Sequence, residues 1–212
     1  MTKIIKIDPE KPEPDGIDKA VTILKNGGVI AFPTETFYGL GADARNDEAI
    51  EKIFGIKGRD FKNPLLVVIG DRGQLDAFTA DIPTEARKLM GRFWPGPLTI
   101  VFRAAPSVSP KLTAGTGKIG IRLTSQPIAR EISRRLGGPV TATSANLSGM
   151  PECSSAAEGL SQLEGKLDGV IDGGQTPGGK GSTIVDVTVY PPKVLREGMI
   201  PASLIQDTLA TT

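Results

Sequence analysis

Four groups of polar residues carry the chemistry that this sequence can do. Lys57 and Arg59 stand two apart, and so do Ser144 and Asn146. In extended backbone that spacing puts both members of a pair on one side. Lysine and arginine together suit a polyphosphate, the ammonium as a mobile point charge and the guanidinium as a planar fork. Serine and asparagine supply neutral donors and acceptors for a base, a ribose or a phosphate. Arg122 is the third group, near the end of the apolar stretch Ile119–Leu123. The fourth is Pro33–Gly41, PTETFYGLG, directly after the apolar run Gly28–Phe32. Alternation there puts Thr34, Thr36 and Tyr38 on one face and Glu35 and Phe37 on the other. Glu35 is therefore assigned no catalytic role. Each group alone reads as surface decoration or local backbone capping. Four of them beside strand ends mark a ligand site, because α/β folds bind small molecules there.

The chain has 212 residues and no histidine. A Ser-His-Asp triad, a histidine-ligated metal and a histidine base are all excluded. The net charge of +1 demands neither nucleic acid nor an anionic membrane as partner, although a local basic patch stays open. The single cysteine, Cys153, excludes an internal disulfide, fits a reducing compartment and reads as a small filler residue. No apolar run approaches the ~20 residues that span a bilayer. The opening MTKIIKIDPEKPEPDG lacks the apolar core of a signal peptide. The expectation is a cytoplasmic protein with no membrane partner.

The elements that must position these groups alternate between helix and strand. Lys3–Ile7 reads as a strand. Asp15 is the expected cap of a helix with Ile17, Ala20, Val21 and Leu24 on one stripe. Asn46 caps a second helix, with Ala49, Ile50, Ile53 and Phe54 inward. Leu65–Ile69 and Leu98–Phe102 are wholly apolar, as in strands buried on both faces. Between them Pro83–Phe93 reads as a helix. Ser125 is expected to cap a helix starting at Pro127, and Pro139–Thr143 to form one strand. A helix over 156–163, strands over 182–189 and 193–196, and a helix over 203–209 complete the chain. The pattern predicts α/β architecture: a single domain over 1–212, its core about 16–200, with a twisted, mostly mixed β-sheet flanked by helices.

Two glycine motifs fail on context. Gly115–Gly120 matches G-x-G-x-x-G, but a loop precedes it and a strand follows, the reverse of a dinucleotide fingerprint. Gly174–Lys180 matches the start of a P-loop, but Gly181 stands where the Mg²⁺-binding hydroxyl belongs. It reads instead as a loop that closes over a ligand. Arg130, Arg134 and Arg135 share one helix and read as a solvated face.

Taken together, PTETFYGLG, KGRDFKNPL at Lys57–Leu65, PGPLT at Pro95–Thr99, IGIRL, SANLSG at Ser144–Gly149, STIVD at Ser182–Asp186 and LREG at Leu195–Gly198 resemble the YrdC-type threonylcarbamoyl-AMP synthases. The resemblance covers about residues 16–200, in the family's order. It implies a single YrdC-like domain with an open, concave, cationic face, in the short form without an extra C-terminal domain. It also implies a reaction. Threonine's amine takes up bicarbonate or CO₂, and the carbamate attacks the α-phosphorus of ATP, releasing pyrophosphate. A downstream threonylcarbamoyl transferase then modifies a tRNA adenosine. The resemblance assigns threonine contacts to Thr36, Arg122, Ala142 (through its backbone) and Ser182. Nucleotide contacts fall on Lys57, Arg59, Asn63, Lys118, Ser144, Asn146 and Arg196, with Lys57 and Arg59 stabilising phosphate charge. No residue is assigned as acid or base. Mg²⁺ is expected to arrive with ATP, and no protein metal site is implied. Departures are Val68, where many members carry histidine, Asp60, where many carry proline, and Lys118, where a smaller polar residue is common.

Two other readings remain open from the sequence. One is a binding module for double-stranded RNA or tRNA that uses the same face without turnover, with steep salt dependence. The other is a diverged paralogue that has lost the synthase reaction.

Overall fold

The computed structural model describes residues 2–58 and 63–211; Arg59 and Asp60 lie outside the described residues. The elements are β1 (Lys3–Lys6), α1 (Pro14–Lys25), β2 (Ile30–Pro33), β3 (Tyr38–Gly41), α2 (Asp47–Lys57), β4 (Val67–Ile69), α3 (Thr84–Phe93), β5 (Leu98–Arg103), α4 (Pro110–Thr113), β6 (Lys118–Leu123), α5 (Pro127–Leu136), β7 (Val140–Thr141), β8 (Thr143–Ser144), α6 (Ala156–Leu163), β9 (Gly169–Asp172), β10 (Thr183–Asp186), β11 (Lys193–Arg196) and α7 (Ala202–Ala210). The α/β class and the mixed strand directions are as expected.

The strands do not form one sheet. A five-stranded sheet runs β1-β9-β2-β3-β8, and a six-stranded sheet runs β11-β10-β5-β6-β4-β7. In the first, β1 and β2 flank β9 in parallel, and the β2–β3 hairpin and β8 are antiparallel. In the second, parallel pairs β10–β5 and β4–β6 are joined through antiparallel β5–β6. The segment expected to be one strand over Pro139–Thr143 is divided at Ala142. Before it, β7 pairs with β4; after it, β8 pairs with β3 in the other sheet. The chain thus crosses from sheet to sheet within a few residues.

Apolar periodicity explains the layers. Ile17, Ala20, Val21 and Leu24 of α1 and Ile128, Ala129, Ile132 and Leu136 of α5 are buried, in one cluster with Phe32, Val68 and Ile171. A larger cluster packs α2, α3 and α6 against the sheets. Two helix caps differ from expectation, although α5 starts at Pro127 as expected. Proline begins a helix readily, since its missing N–H would be unpaired there. Pro14 sets the start of α1 with Glu13 as cap, which leaves Asp15 inside the first turn, where its charge suits the helix dipole. Gln126, not Ser125, caps α5 by accepting from the Ala129 N–H. Asn46 caps α2 as expected, accepting from Glu48 and Ala49.

Arg130 and Arg134 are not simply solvated. Both donate through Nε at 3.1 Å to the Gly70 carbonyl at the end of β4. Arg135 is the outward member, paired with Glu131 and Asp18. Among the described residues no helix is long and apolar enough to cross a membrane.

Gly198 follows β11 and lies against the backbone before β10. A Cβ there would meet the Gly181 carbonyl oxygen and come within 2.5 Å of the Ser182 carbonyl carbon. Backbone cannot yield as a flexible side chain can. Gly198→Ala is therefore expected to destabilise the protein by ~1–3 kcal/mol. Denaturant unfolding measures this, and an unchanged midpoint would contradict the packing described.

Candidate active site between the two sheets

A cavity of about 270 Å³ opens where the two sheets meet. The β2–β3 hairpin and Ser144 contribute one wall; Thr99, Arg122, Ser182 and Arg196, from the six-stranded sheet and its approaches, contribute the other. Ala142, at the crossing, lies between them, its N–H committed to Leu66 O at 2.8 Å.

The hairpin turn is tight. Thr34 N–H and hydroxyl both donate to Phe37 O, at 3.2 and 2.7 Å, and the Thr34 and Thr36 hydroxyls are 3.1 Å apart. These two threonines share a side, as alternation requires. The turn between them and Tyr38 is not extended, so Phe37 also faces the cavity instead of pointing away. Arg122 Nη1 approaches the Thr36 hydroxyl at 3.5 Å. Its Nε stands 3.7 Å from Glu35 Oε1, so Glu35 is no outward residue but the partner of a site cation.

The opposite wall is built around Ser182, which is buried. Its hydroxyl lies 2.9 Å from the Thr99 hydroxyl. Arg196 donates to the Ser182 carbonyl through Nε at 3.1 Å and Nη2 at 2.9 Å. Arg196 reaches solvent, yet partial loss of hydration pulls its pKa below the ordinary arginine value. Glu152 raises it and Arg122 lowers it. The described part of the cavity therefore holds both signs of charge, Arg122 and Arg196 with Glu152 at its edge, and is not a uniformly cationic bowl.

Lys57 is the last residue of α2 and is buried. It does not sit in extended backbone as its spacing to Arg59 suggested. Its ammonium donates to Ser144 O at 2.5 Å, Asn146 O at 3.0 Å and Asn146 Oδ1 at 2.9 Å. Ser144 in turn donates to Asn146 Oδ1 at 2.7 Å. Lys57 and the Ser-x-Asn pair are one unit. Asn63 is exposed, beside the cavity-lining Pro64. Lys118 does not line the cavity. It pairs with Asp186 at 2.9 Å, and four residues of strand carry it ~13 Å from Arg122. Val68 packs on the α5 side of its sheet. Cys153 is fully buried, and burial raises its thiol pKa, as suits a filler. Thr99 and Glu152 are cavity residues that no spacing singled out.

The glycine-rich loop joins the walls. The Gly178 N–H donates to Thr36 O at 2.8 Å, and the Tyr38 hydroxyl donates to Gly174 O at 2.7 Å. Gly178 has φ +65°, which favours glycine at this close approach.

Comparison with known proteins points to one family. The Sua5/YciO/YrdC family model, described as telomere recombination, matches residues 22–198. The chain is 42% identical to the threonylcarbamoyl-AMP synthase of Bacillus subtilis over 91% of its length and 56% of that protein. It is similar to Pyrococcus abyssi Sua5 crystallised with L-threonine, with a TM-score of 0.95 at 39% identity, over 99% of this chain and 61% of that one. It is also similar to Escherichia coli YciO, with a TM-score of 0.88 at 30% identity, over 97% of this chain and 100% of that one. The chain thus spans little more than half the length of the first two relatives.

Burial holds the Tyr38 phenol up to about 12, and the Gly173 N–H opposes that shift. Unfolded tyrosine titrates near ~10. The neutral phenol's stabilisation is whole below pH ~10 and is lost as pH rises through the folded value. Tyr38→Phe leaves Gly174 O and the Gly173 N–H without their partner and is expected to cost ~1–3 kcal/mol at neutral pH. The variant is also expected to lose less stability than the parent between pH ~10 and ~12. Urea titrations of both proteins across that range test this; parallel losses would show that Tyr38 is not the titrating group.

Proposed function

This chain belongs to the Sua5/YciO/YrdC family, and we propose that it makes threonylcarbamoyl-AMP from L-threonine, bicarbonate or CO₂, and ATP, releasing pyrophosphate. One observation carries the reading. Thr36 and Arg122 come within 3.5 Å of each other in a cavity large enough for an amino acid. They do so within a fold shared with a protein crystallised with L-threonine.

In this reading the Arg122 fork takes the threonine carboxylate, and the hydroxyls of Thr36 and Ser182 flank the ligand. The free amine adds to CO₂ and gives up a proton to solvent. A carbamate oxygen then bonds to the α-phosphorus of ATP as the bond to the pyrophosphate oxygen breaks. The chain contributes positioning and charge more than proton transfer, which suits a site without histidine. Arg196 and the unit of Lys57, Ser144 and Asn146 border the nucleotide, with Arg59 on its phosphates. Glu152 is the cavity carboxylate available to Mg²⁺, and no cluster of three acidic or thiol ligands exists among the described residues. The nucleotide phosphates and water would therefore hold most of the ion, which would neutralise phosphate charge. The adenylate then serves a separate transferase acting on tRNA in the cytoplasm.

Pyrophosphate release is expected to require ATP, threonine and bicarbonate together; release that persists unchanged without threonine would overturn the proposal. Arg122→Ala is expected to raise the KM for threonine by the ~1.5–3 kcal/mol of a lost charge-assisted hydrogen bond, and Arg59→Ala to weaken ATP use by a similar amount. Steady-state kinetics with each substrate varied separates the two effects.

A further inference from the structure

Arg122 and Glu35 form a buried pair whose geometry is incomplete. Their side chains are only 8% and 10% exposed. Glu35 Oε2 accepts from the buried Thr124 hydroxyl at 2.7 Å, and that hydroxyl accepts from the Gln126 N–H at 3.2 Å. Glu35 is thereby fixed to the segment that joins β6 to α5. Glu35 Oε1, in contrast, is a buried oxygen with no hydrogen-bond partner among the described residues. Leaving a buried carboxylate oxygen unpaired is costly, and native structures rarely keep one without use.

Arg122 Nε stands 3.7 Å from Oε1, longer than a hydrogen bond. On its other edge Arg122 reaches Thr36 at 3.5 Å, also long. The guanidinium therefore stands between two acceptors and is engaged firmly by neither. Glu35 itself does not line the cavity, so it does not touch a ligand there.

We propose that Glu35 is a positioning residue: it holds the Nε edge of Arg122, so that the terminal nitrogens face the cavity as a fork for the ligand's carboxylate. This rests on the threonine reading above. Binding draws the guanidinium into register, and the orphaned oxygen gains its partner as the fork closes on the carboxylate. Glu35 thus acts on threonine affinity only through Arg122.

The test is steady-state kinetics of Glu35→Ala, Glu35→Gln and Thr124→Val, alone and with Arg122→Ala. Glu35→Ala is expected to raise the KM for threonine by about tenfold, as loss of one charge-assisted contact does, with the KM for ATP unchanged. Glu35→Gln keeps an acceptor for Arg122 and Thr124 and is expected to fall between Glu35→Ala and the parent. In the Arg122→Ala background, Glu35→Ala is expected to add nothing to the threonine KM, the signature of one route. Equal rises in both KM values, additivity in that background, or an unchanged threonine KM would overturn the proposal. If Glu35→Ala does not fold, Thr124→Val decides: it releases Oε2, and a selective threonine effect supports the proposal while none overturns it. A parent enzyme that ignores threonine would instead overturn the underlying reading.

Discussion

A strand that leaves one sheet for another must abandon its ladder, and the backbone groups it strands must be satisfied elsewhere. Around Ala142 this is done group by group. Thr141 N donates to Ala42 O, Ala142 N to Leu66 O and Ala145 N to Tyr38 O. The Ser144 carbonyl accepts from the Asn146 N–H, and the Lys57 ammonium donates to it and to the Asn146 carbonyl. The ammonium is buried, so it needs several acceptors as much as they need a donor. Its position at the C-terminus of α2 adds the favourable end of the helix dipole. The cavity exists because the sheets part here, and Lys57 holds 144–146 in place beside it.

Charge in the cavity obeys the same rule. A buried guanidinium without a counter-charge is expensive, and a buried pair gains only if its geometry is good. Arg122 is matched to Glu35, while Arg196 lies near Glu152 and anchors Ser182. Among the described residues these pairings offset the charges of Arg122 and Arg196. An anionic or zwitterionic ligand then meets oriented donors instead of a diffuse positive field. The chain's small net charge is in keeping with that local balance.

The helical stripes were legible because burial on one face imposes a period that survives in the sequence, as in Ile17, Ala20, Val21 and Leu24. The strand switch was not. Pro139–Thr143 reads as one extended run, and nothing local distinguishes a strand that stays from one that changes partner. In the site, Thr36, Arg122, Ser144, Ser182 and Arg196 stand beside strand ends and reach the cavity. Lys118 stands at the opposite end of the same strand from Arg122 and does not line this cavity. Thr99 left a faint signal, one hydroxyl in the apolar run Leu98–Phe102. Glu152 left none, since its place depends on tertiary folding. Alternation placed Glu35 off the cavity correctly but misled at Phe37, because it describes strands, and residues 34–37 form a turn.

The stretch between β9 and β10 ties these parts together. Near its start, Gly174 and Gly178 are bonded to Tyr38 and Thr36, in the hairpin of the five-stranded sheet. At its end, Ser182 is bonded to Thr99 and Arg196, in the six-stranded sheet. The loop therefore spans the cleft with one foot on each wall. Any change in the spacing of the walls must alter these bonds, because a short chain fixed at both ends has little slack. Thr36 and Ser182 are the feet as well as lining residues. A movement of either residue would therefore be felt in the loop that spans the two walls.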